Sequence, residues 1–115
     1  MPTHALPDLP GPVSEERIAA LAAELAAARP PLELIREPGA RERLSRDFFE
    51  YSPVLRPLLE GRVAQLVVRA ATVEQVRVVA GACARRQVPL TVRGAGTGNY
   101  GQCVPLAGGV VLDLS

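Results

Sequence analysis

The residues with the clearest chemical potential form one run, Arg93-Gly94-Ala95-Gly96-Thr97-Gly98-Asn99-Tyr100-Gly101-Gln102. Four glycines in eight positions remove the side chains that would hold a ligand away from the backbone. They also permit positive φ values, which turn successive N–H groups into one concavity. Such a concavity suits the diphosphate of a nucleotide cofactor; a purely structural set of turns is the alternative that the glycines alone leave open. Little else in the chain offers chemistry. The single histidine, His4, sits in a leader with Pro2, Pro7, Pro10 and Pro12, which argues against serine–histidine catalysis. Cys83 and Cys103 are too few for a disulfide scaffold, and their spacing fits no zinc pattern. All 13 basic residues are arginine, so a Schiff-base or P-loop lysine is excluded. No catalytic residue and no metal ligand is assigned.

Bulk properties narrow the class. At 115 residues the chain makes one domain at most, or a piece of a larger one. Its 48% hydrophobic content supplies a core, and a net charge of +1 gives no field that would attract nucleic acid or an anionic membrane. No stretch reaches the roughly 18 apolar residues of a membrane span, and no signal peptide opens the chain, so a cytoplasmic location is expected.

The elements that must position the loop can be read on both sides of it. Ser14 is a good N-cap, Glu15 and Glu16 suit a helix N-terminus, and Val13 can staple onto Ile18. Ile18, Leu21 and Leu25 form one stripe of that helix; Arg29 falls in its last turn and Pro30-Pro31 ends it. Leu32 to Arg36 reads as a short extended piece, and Ala40 to Arg46 as a short polar helix. Asp47 to Pro53 holds three of the four aromatic residues and reads as a docking segment or a core plug. Further on, Leu66-Val67-Val68 suits a buried strand. Thr72 and Gln75 form a capping box for a helix whose apolar face is Val73, Val76, Val79, Ala80 and Cys83. Leu90-Thr91-Val92 makes a second strand, completing a βαβ unit with parallel strands. Val110-Val111-Leu112 makes a third, expected at an unpaired sheet edge where the chain stops.

The loop matches G-x-G-x-x-G from Gly96 to Gly101, but the dinucleotide fingerprint needs a helix to begin there and an acidic residue about 20 positions on. Pro105 and Gly108-Gly109 interrupt any such helix, and no acidic partner follows at that distance. A protein-kinase loop fails for want of its lysine strand.

In its context the run from Thr72 to Leu114 resembles the FAD-binding domain of the vanillyl-alcohol oxidase/p-cresol methylhydroxylase (PCMH) type. The resemblance is centred on Val92 to Gly98 and closed by Gly109-Val110-Val111-Leu112-Asp113-Leu114. Within that superfamily it is most similar to the D-lactate, glycolate and other 2-hydroxyacid dehydrogenases, a likeness that extends over residues 40–115 through Asp47-Phe48-Phe49 and Tyr51 to Leu55. The resemblance implies an α+β fold. A leader and helical arm over residues 1–60 precede the βαβ-β first lobe of a PCMH-type domain over 61–115, incomplete at its end. It implies FAD as cofactor, with backbone amides from Gly94 through Ala95 and Gly96 to Gly98 around the diphosphate and the Thr97 hydroxyl on a phosphate oxygen. Asn99, Gly101 and Gln102 would approach the ribityl chain or the isoalloxazine. Arg93 would offset phosphate charge or lie solvated at the sheet rim; Tyr100 would cover the cofactor or pack the loop. Cys103 is favoured as a core filler over a place near the flavin. Some relatives bond FAD covalently through a histidine where Thr97 stands here, so a non-covalent flavin is expected. Family members continue with a second lobe and a substrate domain, so this chain reads as an N-terminal fragment, not expected to be an enzyme by itself. A second polypeptide completing the site and an inactive truncated remnant are the other two readings.

Overall fold

A computed structural model describes residues 11–48, 52–96, 98 and 103–115. The first helix, α1 (Glu15–Ala26), begins where Ser14 Oγ accepts the Arg17 amide at 3.3 Å. Ile18, Leu21, Ala22 and Leu25 turn toward the core, with Val13 packed beside them. The helix ends at Ala26, so Arg29 lies beyond its last turn. A short strand, β1 (Glu33–Ile35), and a one-and-a-half-turn helix, α2 (Pro38–Arg43), follow. The helix starts two residues before the expected Ala40 because Pro38 is pre-set for a first turn and the Glu37 carboxylate accepts the Ala40 amide.

A further helix, α3 (Leu55–Leu59), was not foreseen from the sequence. Leu55, Leu58 and Leu59 form its apolar side against Val104, while Pro57 in the middle of so short a segment hid the period. The strand β2 (Leu66–Arg69) leads into α4 (Val73–Arg85), then β3 (Leu90–Arg93) and β4 (Val110–Asp113). Thr72 caps α4 by accepting the Gln75 amide at 3.1 Å, but Gln75 Oε1 reaches back to the Ala71 amide rather than to that of Thr72. The buried face of α4 is Val79, Ala82 and Cys83, flanked by Val76; Val73 and Ala80 point outward.

The sheet runs in the order β1-β2-β4-β3. β1 is antiparallel to β2, whereas β4 is parallel to both β2 and β3. The two strands of the βαβ unit are therefore parallel but not neighbours, since β4 lies between them. This corrects the expectation that the strand near Ser115 forms an edge: all four β4 residues are buried, and the edges are β1 and β3. A strand reading Val-Val-Leu with no polar alternation belongs inside a sheet covered on both faces. One face, with Leu66, Val68, Val110 and Leu112, packs on α1 and α4; the other, with Val67 and Val111, packs on Ala64, Ile35 and Leu44.

Gly109 makes the insertion of β4 possible. It has φ +76°, and a Cβ added there would fall 2.3 Å from the Pro89 carbonyl oxygen. That oxygen accepts the Val110 amide at 2.9 Å, so β4 enters beside β3 through a contact that only glycine permits. Gln65 ties the same corner to the start of α1. Its Oε1 accepts the Gly109 and Val13 amides, both at 2.9 Å, and its Nε2 donates to the Val13 carbonyl at 2.7 Å.

Candidate functional site

The three parallel strands end on the same side of the sheet, the side on which open α/β sheets bind their ligands. There Glu33, Arg69, Asp113 and Arg93 occupy one register row, alternating in charge across all four strands. Arg69 bridges Asp113 at 3.0 Å and Glu33 at 3.1 Å. Burial by itself would raise the Asp113 carboxyl, which is 1% exposed. Hydrogen bonds from the Ser115 hydroxyl and amide, with the Arg69 guanidinium, outweigh that and hold it below its ordinary value.

At the β3 end of this row the glycine run begins. Gly94 and Ala95 are exposed, and a Cβ placed on Gly94 would meet nothing within 4 Å, so the outer side of the turn is open to a ligand. The inner side is closed. Gly96 has φ +73°, and a Cβ there would come within 1.7 Å of Arg93 Nη2. The turn is thus open to a ligand on its outer side alone and filled by Arg93 on its inner side.

Its support comes from a segment the sequence reading did not assign to the site, residues 44–48. The Phe48 amide donates to the Gly98 carbonyl at 2.8 Å. Arg93 is 8% exposed, and its Nη1 donates to the Leu44 and Arg46 carbonyls, both at 2.8 Å. Arg93 is therefore buried beneath the turn and not solvated at the sheet rim. Cys103 lies against it, with the Arg93 Nη1–Sγ distance 3.9 Å and the thiol donating to the Arg46 carbonyl at 3.6 Å. Burial pushes the Cys103 thiol up, the Arg93 charge opposes this, and the nearby Asp47 carboxyl adds to the rise.

The 44–48 segment is itself fixed to Ala64, two residues before β2. Ser45 Oγ donates to the Arg41 carbonyl at 2.6 Å and accepts the Ala64 amide at 2.8 Å, and Arg41 Nη1 donates to the Ala64 carbonyl at 3.0 Å. The spacing of a serine and two arginines on a polar helix carries no sequence signal for such a role. Of the aromatic segment, Asp47 is buried while Phe48 is 44% exposed, so Phe48 is no core plug; Phe49, Glu50 and Tyr51 lie outside the described residues. So do Thr97, Asn99, Tyr100, Gly101 and Gln102, and His4. Arg93, Gly94, Ala95, Gly96 and Gly98 are brought together as one turn. Among the described residues no group of His, Cys, Asp and Glu is placed to hold a metal, and no helix is long and apolar enough to cross a membrane.

Residues 64–115, which include β2, α4, β3 and β4, match the FAD binding domain family, and the match indicates FAD as the ligand of this segment. The fold is similar to that of a solved structure, "alkyldihydroxyacetonephosphate synthase in P1", with a TM-score of 0.66 at 17% identity. That alignment covers 96% of this chain and 23% of the other, so the chain spans under a quarter of its length. No curated protein sequence matches. The architecture is thus α+β, a mixed four-stranded sheet with helices, similar in fold to that solved structure.

Proposed function

We propose that the chain supplies the diphosphate-binding part of an FAD site in a flavin-dependent oxidoreductase that acts on a 2-hydroxy acid. The observation that carries the FAD reading is the turn at Arg93 to Gly98, open outside at Gly94 and closed inside at Gly96, within the stretch that matches the FAD binding domain. FAD, when bound, supplies the acceptor for the hydride removed from the hydroxyl-bearing carbon. The chain's own part is to hold it. Amides from Gly94 through Ala95 and Gly96 to Gly98 surround the diphosphate, Arg93 adds positive charge beneath the turn, and the Thr97 hydroxyl reaches a phosphate oxygen. Asn99, Gly101 and Gln102 face the ribityl chain or the isoalloxazine. Threonine at position 97 offers no imidazole for attachment, so the flavin is held without a covalent bond.

The 2-hydroxy acid class rests on the resemblance of residues 40–115 to D-lactate and glycolate dehydrogenases. The catalytic base and the carboxylate clamp come from a substrate domain outside this chain's match, in the same polypeptide or a second one. The complete protein, precipitated with acid, is expected to release its flavin to the supernatant. Under anaerobic conditions D-lactate or glycolate is expected to bleach the bound flavin. Flavin retained in the pellet contradicts the non-covalent reading, and a spectrum indifferent to 2-hydroxy acids contradicts the substrate class.

A further inference from the structure

We infer that Arg93 is a positioning residue whose buried guanidinium docks the glycine turn onto the 44–48 segment and thereby sets the direction of the turn's amides. Three separate stretches of chain meet on that one group. Its Nη1 donates to the Leu44 and Arg46 carbonyls, Cys103 Sγ closes the same atom from a third side, and Gly96 lies directly against Nη2 and Cζ. A Cβ on Gly96 would sit 1.7 Å from Nη2 and 2.7 Å from Cζ, so the turn rests on the guanidinium with no space for a side chain. An arginine serving chiefly as a phosphate ligand would aim its donors at the open side beside Gly94. Arg93 commits Nη1 to main-chain carbonyls below the turn. The Phe48 amide bond to Gly98 O is the second tie between the same two segments, and it reports whether they are docked.

Shape and charge can be separated here. Lysine keeps the charge but loses the planar guanidinium, whose Nη1 meets the Leu44 and Arg46 carbonyls while its Nη2 and Cζ lie under Gly96. The inference deepens the FAD reading and depends on it in only one of two measurements. The first is amide hydrogen exchange without FAD. Arg93→Lys is expected to speed exchange of the Phe48 amide by about tenfold or more, the loss of a hydrogen-bonded charged anchor, while the Val67 and Val111 amides stay protected. Phe48 exchange equal to that of the wild type overturns the inference. Should Arg93→Lys expose Val67 and Val111 as well, Gly96→Ala tests the same contact from the turn side. It is expected to speed Phe48 exchange, and an unchanged rate overturns the inference equally.

The second measurement is FAD affinity of the complete protein. Arg93→Ala is expected to bind FAD about tenfold or more weakly and to recover with added ethylguanidinium but not with ethylammonium at the same concentration. Equal recovery with both cations assigns Arg93 a charge role and overturns positioning. A wild-type protein that binds no FAD, while Phe48 exchange still responds to Arg93→Lys, refutes the FAD reading and leaves the positioning role standing.

Discussion

At the scale of single residues, the glycines do different work that their shared identity conceals. Gly94 keeps the turn open, Gly96 accommodates the Arg93 guanidinium, and Gly109 admits β4 beside Pro89. Gly109→Ala is expected to destabilise the fold by more than about 1 kcal/mol, because a left-handed backbone and a close carbonyl both oppose a Cβ; urea denaturation checks this. Asp113 gives a pH dependence of definite sign. Its carboxyl is held low in the folded protein, so its contribution to stability is present above the ordinary aspartate pKa of about 3.9 and is lost as the pH falls through the folded value. Thermal melts from neutral pH downward are expected to show a steeper acid-side fall for the wild type than for Asp113→Asn. Cys83 is a core residue, its thiol pushed up to about 11 by burial with Glu24 adding to the rise. It is expected to resist alkylation at pH 8 until the protein unfolds, as mass spectrometry of native and denatured samples would report. The glycine run was plain in the sequence because glycine spacing is itself a backbone statement. Arg41 and Ser45 were not, because polar residues near a short helix look alike whether they are solvated or hold a loop from beneath.

At the scale of elements, local chemistry located most of the structure. Ser14 and Thr72 cap α1 and α4 as their side chains predict, and all three apolar runs of the second half are strands. Thr72→Ala is expected to cost about 1 kcal/mol, the value of a lost N-cap, in chemical denaturation. The helices α1 and α4 also meet through charge: Glu24 on α1 receives both Arg85 and Arg86, whose hydrogen bonds keep its carboxyl below the ordinary value. Leu25, wholly buried between α1 and the sheet, is a stronger determinant. Leu25→Ala is expected to lose about 2–5 kcal/mol by the same measurement. What the sequence did not convey was strand order. The helix between β2 and β3 implies that they are parallel, but nothing in Leu90 to Arg93 states that a later strand will come between them. The uninterrupted apolar character of Val110-Val111-Leu112 is the one local feature that fits its interior position.

At the scale of the whole molecule, residues before and after Gly61 build one sheet and share one core. β1 extends the sheet at β2, α1 packs on α4, and residues 44–48 lie under the glycine turn within the stretch that matches the FAD binding domain. The loop therefore does not stand on β3 alone; its shape depends on residues about 50 positions earlier in the chain. The proposed binding of the FAD diphosphate by this turn is tested by an FAD titration, followed by flavin fluorescence, of the complete protein against its Gly96→Val variant. Saturable binding by the wild type and a loss of about a hundredfold in the variant are expected, since a branched side chain enters the space of Arg93 at a left-handed position. Far-ultraviolet circular dichroism is expected to stay the same in both. Equal FAD affinity in the two proteins, or no binding by the wild type, would contradict the proposed binding.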